Sequence, residues 1–301
     1  MSTDNLVGRT IAGFRLLTFV GEGGTATVYI AEHAEYGRCA IKVLKTRVAQ
    51  DPTQVKRFLR EAEFGERVSH PNIVATYAWG EDEGRHYLAM QWVEGESLSN
   101  FAVRSGTLAP SVVGGIVRQI GGALASAHAK GIIHRDLKPA NIMYDPATQR
   151  AVLLDFGIAR DAEASGEDRL TRTGFFVGSL QYVPPEALSG ELVGEQADVY
   201  SLATITYHLL TGLLPFPGKN PRELFQQLLS QPPIPLNQAV KGMKFDPGIE
   251  RAVMRGLERD LGARTRKIDA FTEEFCTAVA EAGQKKAGFL SGLRGMFGGN
   301  A

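Results

Sequence analysis

Val199 to Leu210 is apolar or small on nearly every side of a helical wheel. A helix of that kind has no face for water, so it must lie at the centre of a body made of other helices. Its end is predicted near Thr211-Gly212, ahead of Pro215, where a glycine can take the left-handed turn that closes a helix. Asp198 stands at its start, and a carboxylate carried into a core needs its hydrogen bonds satisfied there. The surrounding chain supplies helical neighbours. Val113, Ile116, Val117, Ile120 and Leu124 recur at helix spacing, although Gly114, Gly115, Gly121 and Gly122 weaken the pattern. Phe271 to Ala282 is predicted as a last helix, stopped by Gly283, and Lys285 to Ala301 reads as a glycine-rich basic tail. Gln231 to Pro247, with Pro232, Pro233 and Pro235, reads as a surface connection.

The first part of the chain is different in kind. Phe14 to Val20 is a β-branched and aromatic run, followed by a glycine turn at Gly21 to Gly24. Val28, Ile30 and Ala40-Ile41-Lys42-Val43-Leu44 continue the strand signal. One helix interrupts it: Asp51 is a cap, Pro52 takes the first helical position, and Val55, Phe58, Leu59 and Ala62 share a face. The expected organisation is an arm over 1–10, a strand-rich lobe with one main helix over 11–93, a larger helical lobe over 94–283 and a tail over 284–301. The fold class is α+β.

With 301 residues and 44% hydrophobic content, the chain can bury the cores of two such lobes. Lys+Arg and Asp+Glu balance at 33 each, so no global basic field points to nucleic acid as a partner. Cys39 and Cys276 are far apart and lack metal-ligand spacing, which fits a reducing cytoplasm. Met1 to Arg9 is polar and unlike a signal peptide. No apolar run approaches the roughly 20 residues of a membrane-spanning helix, so any membrane contact would be at the surface.

The chemistry concentrates in His134-Arg135-Asp136-Leu137-Lys138-Pro139-Ala140-Asn141 and, shortly after, Asp155-Phe156-Gly157. Asp136 can accept a hydroxyl proton. Asn141 and Asp155 offer oxygen atoms to a hard divalent cation. Lys138 places a positive charge two residues from Asp136. Upstream, Gly21-Glu22-Gly23-Gly24-Thr25-Ala26-Thr27-Val28 lies between two strands, where glycines let backbone N–H groups approach phosphates and adopt positive φ. Alone, that string is equally a plain hairpin. No helix begins at the turn, which argues against a dinucleotide site. Lys42, flanked by Ile41 and Val43, brings an ammonium close to apolar surroundings and needs a partner. His128 and His134 have no Cys/His cluster around them and are read as packing residues.

The pattern H-R-D-x-K-x-x-N with a downstream D-F-G resembles the catalytic core of the protein kinases, over about Ile11 to Ala280. In detail it is similar to the bacterial relatives of the eukaryotic-type Ser/Thr kinases. The resemblance implies a two-lobed kinase fold and an ATP- and Mg²⁺-dependent protein Ser/Thr kinase, with Mn²⁺ as the alternative metal and proteins as substrates. It makes Asp136 the proton acceptor and Lys138 the charge that meets the transferring phosphoryl group. Asn141 and Asp155 become metal ligands. Lys42, in a V-A-I-K-like strand, would meet the α/β-phosphates and Glu61. The nucleotide would be covered by Val20, Gly21, Glu22, Gly23, Gly24, Thr25, Ala26, Thr27 and Val28, with Ala26 replacing the family's third glycine. Backbone groups of Gln91, Trp92 and Val93 would bond adenine, Met90 would back the pocket, and Val28, Ala40 and Met143 would sandwich the base.

The same resemblance gives Gly178 to Tyr182 as a substrate-docking loop, with Ser179 for the usual threonine. It pairs Glu186, in Val183-Pro184-Pro185-Glu186, with Arg264, and Asp198 with the backbone of the His134–Arg135 turn. Ile158, after D-F-G, favours threonine acceptors. Thr171 and Thr173, with Ser165 behind them, are the sites where autophosphorylation would switch activity through Arg135 and Arg160. The tail, with Lys285, Lys286 and Arg294 beside Phe289, Leu290, Leu293, Met296 and Phe297, would contact an anionic membrane surface or a partner weakly, or dock back on the large lobe. Two other functions stay open: a catalytically silent binding scaffold, and a small-molecule phosphotransferase of the same fold.

Overall fold

The computed structural model describes residues 6–155, 180–188 and 193–297, with side chains as far as Lys286. Phe156 to Ser179 and the side chains beyond Lys286 lie outside the described residues, and with them the expectations for Ile158, Arg160, Ser165, Thr171, Thr173, Ser179, Phe289, Leu290, Leu293, Arg294, Met296 and Phe297.

The small lobe is an antiparallel sheet. Its strands are β1 (Thr10–Ile11), β2 (Phe14–Glu22), β3 (Ala26–His33) and β4 (Gly37–Leu44), followed after two helices by β5 (Thr76–Asp82) and β6 (Arg85–Gln91), in the order β1-β2-β3-β4-β6-β5. Alternation along β4 sorts the two faces. Cys39, Ile41 and Val43 join Phe14, Leu16 and Tyr29 in an outer cluster. Ala40 and Leu44 face the other way, into a cluster with Phe58, Ala62, Val74 and Met90. Lys42 falls in register with this second set, and so points toward the large lobe.

Between β4 and β5 come α1 (Thr46–Ala49) and α2 (Pro52–Arg67). Asp51 caps α2, accepting the Thr53 N–H at 2.9 Å, and Pro52 opens it. Phe58 and Ala62 are buried, while Val55 and Leu59 pack half-exposed against the same cluster.

The large lobe holds β7 (Glu96–Ser97), α3 (Leu98–Ser105), α4 (Pro110–His128), β8 (Ile142–Asp145), β9 (Arg150–Leu153), α5 (Pro185–Leu188), α6 (Glu195–Thr211), α7 (Pro221–Ser230), α8 (Pro247–Gly256) and α9 (Ile268–Phe297). Helix α6 is the expected central helix. From Ala197 to Thr211 only His208 escapes full burial, and Gly212 closes the helix at φ 71°.

One of the glycines that weaken the α4 pattern has a packing reason. A Cβ at Gly121 would overlap Thr272 of α9, and one at Gly114 would touch Val279 at 3.5 Å. At Gly121 the two helices come this close only because the side chain is missing.

Two expectations are corrected. Helix α9 does not stop at Gly283 but continues to Phe297. One glycine in an exposed helix costs only about 1 kcal/mol. Contacts on both sides of Gly283 hold the helix: Ala282 packs on the core, and Lys285 donates to Asp246 Oδ2 at 2.9 Å. Lys285, assigned to the tail, is therefore tied to the large lobe. The Gln231–Pro247 connection is also more than surface. Leu236 is buried, and Asn237 is bonded to both carboxylate oxygens of Glu250, through its N–H at 2.8 Å and its amide at 2.7 Å.

Candidate active site

The groups predicted to act together come from separate elements and converge between the lobes. Lys42 Nζ, from β4, donates to Glu61 Oε1 of α2 at 2.6 Å and to Asp155 Oδ2, just beyond β9, at 3.3 Å. Burial by itself would lower the Lys42 ammonium, but the Asp155 and Glu61 carboxylates outweigh it and raise it, so Lys42 stays charged. Glu61 is the softer partner. Burial pushes its carboxyl up to about 7, against the pull of Lys42 and with the help of Asp155.

Below this trio lies the Asp136 turn. Lys138 Nζ donates to Asp136 Oδ2 at 2.8 Å. Asn141 donates through its amide nitrogen to the Asp136 carbonyl at 2.9 Å, and more loosely to Oδ2 at 3.4 Å. With its nitrogen so committed, Asn141 keeps its amide oxygen as an acceptor. The Asp155 side chain is 38% exposed, and Asn141 is tied to the residue before it, its backbone carbonyl accepting the Leu154 N–H at 2.9 Å. An amide oxygen and a carboxylate are the donor types that a hard divalent cation takes. The residues present fit such an ion.

The turn itself is strained and braced. Arg135 has φ 63°, a left-handed conformation that side chains with a Cβ rarely take. Asp198 holds it there, accepting the N–H of His134 at 2.8 Å and of Arg135 at 3.0 Å. Its remaining bond comes from His128 Nε2 at 2.8 Å. His128 is therefore more than a packing residue: it completes the shell of a fully buried carboxylate. A polar residue closing an otherwise apolar α4 face was the available signal. His134 is buried at the core of the turn, and burial lowers its imidazole below the usual range.

The glycine-rich segment takes a different form from the one expected. β2 runs on to Glu22, and the Gly23 N–H closes the hairpin on the Ala26 carbonyl at 2.8 Å. None of Gly21, Gly23 and Gly24 has positive φ. What the glycines supply is room: a Cβ at Gly21 or Gly24 would meet nothing within 4 Å. Lys45 N–H donates to the Thr25 carbonyl at 2.9 Å, Lys45 Nζ pairs with Glu22, and Arg47 reaches the Gly24 carbonyl at 3.2 Å. Ala26 is buried and Thr27 nearly so, while Val20 is 47% exposed at a bulge in β2.

Val28, Ala40, Met90, Trp92, Val93 and Met143 belong to one apolar cluster that spans both lobes. Met90 closes a cavity of about 10 Å³ whose walls include Glu61, Thr76, Leu154 and Asp155. The Gln91 N–H is spent on the Ala75 carbonyl at 2.8 Å, so an adenine contact there must use other backbone groups of Gln91, Trp92 and Val93.

Beyond the site, Arg264 and Glu186 are paired as expected. Tyr182 places its hydroxyl 2.8 Å from His208 Nδ1, and Ser201 donates to the Tyr182 carbonyl at 2.8 Å. These bonds lock Tyr182 onto α6. No helix among the described residues is long and apolar enough to cross a membrane.

Comparison with known proteins gives one family. The model for the protein kinase domain matches residues 14–256. Similar relatives include the serine/threonine-protein kinase pkn3 of Myxococcus xanthus, 34% identical over 279 residues, which are 90% of this chain and 51% of the relative. PrkC of Bacillus subtilis is 39% identical over 217 residues, covering 71% of this chain and 33% of PrkC. PknB of Mycobacterium tuberculosis is 36% identical over 252 residues, covering 82% and 40%. The chain thus spans about half or less of the length of these relatives. The crystal structure of the M. tuberculosis PknI kinase domain superposes with a TM-score of 0.69 at 27% identity, covering 90% of this chain and 98% of that one. Match and architecture agree, and the chain belongs to the protein kinase domain family.

Proposed function

We propose that this chain is an ATP-dependent protein Ser/Thr kinase. The observation that carries the reading is the placement of Lys42 between Glu61 and Asp155, above an Asp136 already flanked by Lys138 and Asn141. Lys42 would orient the α/β-phosphates, with Glu61 holding its ammonium in place. Asn141 and Asp155 would hold Mg²⁺, or Mn²⁺ in its stead, which when bound neutralises charge on the phosphates. The acceptor hydroxyl oxygen bonds to the γ-phosphorus, the bond from phosphorus to the bridging oxygen breaks, and ADP leaves. Asp136 takes the hydroxyl proton. Lys138 offsets charge on the transferring group. Gly21 to Val28 would cover the phosphates. Val28, Ala40 and Met143 would enclose the base, with Met90 behind it and the Gln91–Val93 backbone at its edge.

The finer reading places the small lobe at 11–93, the large lobe at 94–283, and the chain in the cytoplasm with protein substrates. It includes autophosphorylation at Thr171 and Thr173. Arg135 supports this, because among the described residues its buried Nε has no hydrogen-bond partner, and a phosphate brings oxygens suited to a guanidinium. It also includes weak contact of the 284–301 segment with an anionic membrane surface, to be read by liposome flotation with and without that segment.

Incubation of the purified chain with Mg-ATP and a general protein substrate, followed by phosphosite mass spectrometry, tests the function. Phosphothreonine or phosphoserine on the substrate, and on Thr171 or Thr173, is expected. ATP binding without any protein phosphorylation would favour the scaffold reading; turnover of a small alcohol or amine alone would favour the small-molecule one.

A further inference from the structure

Strand β9 delivers Asp155, and one of its edges is paired with β8. The other edge faces the loop between α2 and β5. At Leu153 that edge is satisfied by backbone: the Leu153 N–H donates to the Asn72 carbonyl and the Val74 N–H to the Leu153 carbonyl, both at 2.9 Å. Two residues earlier, at Ala151, no strand is alongside, and side chains take its place. Ala151 N–H donates to Gln119 Oε1 at 3.0 Å, and the Ala151 carbonyl accepts from Asn72 Nδ2 at 2.8 Å. The two amides are joined to each other, Asn72 Nδ2 to Gln119 Oε1 at 2.8 Å. Gln119 Nε2 is held in turn by the Gln149 carbonyl at 2.8 Å and the Gly115 carbonyl at 3.2 Å.

The pair therefore acts as the missing rung of a ladder. Asn72 comes from the loop that follows the Glu61 helix, and Gln119 from α4 in the large lobe. Ala151 is fully buried, so an unpaired N–H or carbonyl there would carry a substantial desolvation cost. The register of β9 against the small lobe is thus held by these two amides, four residues before Asp155, together with the backbone bonds at Leu153.

We infer that Gln119 and Asn72 are positioning residues that fix Asp155 for metal-nucleotide binding, an inference that rests on the kinase reading of the same site. Neither residue touches the reacting atoms. They act through β9, coupling Asp155 to the loop that follows the helix of Glu61.

Gln119→Ala, Gln119→Glu and Asn72→Asp separate positioning from mere support. Gln119→Glu keeps the Oε1 acceptor for both Asn72 and Ala151 but turns its second oxygen on the Gln149 and Gly115 carbonyls. Asn72→Asp keeps the shape and removes the donor. Hydrogen exchange of the nucleotide-free chain should show the Ala151 amide at least about tenfold faster in Gln119→Ala. Calorimetry should show ADP binding in the presence of Mg²⁺ weakened about three- to tenfold in Gln119→Ala and Asn72→Asp, ADP binding without Mg²⁺ unchanged within about twofold, and Gln119→Glu lying between Gln119→Ala and the wild type. Should Gln119→Ala fail to fold, Asn72→Asp carries the test. Faster Ala151 exchange with wild-type affinity for ADP and Mg²⁺ overturns the positioning role and leaves the kinase reading standing. A wild-type chain that binds no ADP with Mg²⁺ overturns both.

Discussion

Arg264 and Glu186 meet at two points, Nη1 to Oε1 at 2.7 Å and Nη2 to Oε2 at 3.0 Å, with 1% and 6% of their surfaces exposed. The same guanidinium donates to the carbonyls of Gln196 and Glu258, so it joins α5, the start of α6 and the loop after α8. Removing one partner strands the other as a buried charge. Arg264→Met is expected to lower stability by about 3–5 kcal/mol, and Arg264→Met with Glu186→Leu to recover much of that loss. Urea denaturation checks both. A single variant within about 1 kcal/mol of the wild type would contradict the assignment.

Glu61 gives the fold a pH signature. Its carboxyl is raised by burial from 4.5 to about 7, so the folded chain holds this proton more tightly than the unfolded chain does. Between those values the folded state binds more protons, and this group's contribution to stability falls as pH rises. Glu61→Gln removes that contribution. The difference in Tm between the variant and the wild type is therefore expected to shift in the variant's favour from about pH 5 to pH 7. Parallel Tm profiles for the two would contradict the raised value.

Two glycines of α4 should respond with opposite signs. Gly115 faces open space, so Gly115→Ala should stabilise by up to about 1 kcal/mol through helix propensity and a less flexible unfolded chain. Gly121→Ala gains the same propensity but overlaps Thr272 Oγ1, and should destabilise the chain. Adding Thr272→Ala should restore part of the loss. Thermal unfolding of the four proteins is the measurement, and equal effects at the two positions would contradict the close approach of α4 and α9.

Much of this was legible in the sequence because the residues involved obey local rules. The α6 helix is apolar all round, so its central place follows from its pattern alone. Asp51-Pro52 states the start of α2 in two residues. The site residues could be named from short strings, since Asp136, Lys138 and Asn141 lie within six positions. What could not be read depends on distant partners. Gly121 looks like a defect in α4 until Thr272 is placed against it. Gln119 is one polar position on a helix, and nothing in its neighbourhood points to Ala151, 32 residues away. Gly283 resembles a helix stop because propensity is local, whereas Lys285 is held by Asp246, 39 residues earlier. His128 stood out only as a polar residue closing an apolar α4 face, a signal that does not name Asp198, 70 residues away, as its partner.

The central claim is that Asp136 takes the proton from the acceptor hydroxyl. Single-turnover phosphoryl transfer from Mg-ATP to a protein acceptor by Asp136→Asn, with nucleotide affinity measured on the same samples, tests it most directly. Asparagine keeps the shape of the turn and the approach of Lys138 but cannot accept the proton as a carboxylate does. The expected result is nucleotide affinity within about twofold of the wild type and a transfer rate lower by about 10²-fold or more. A transfer rate near that of the wild type, with nucleotide bound, would contradict the account.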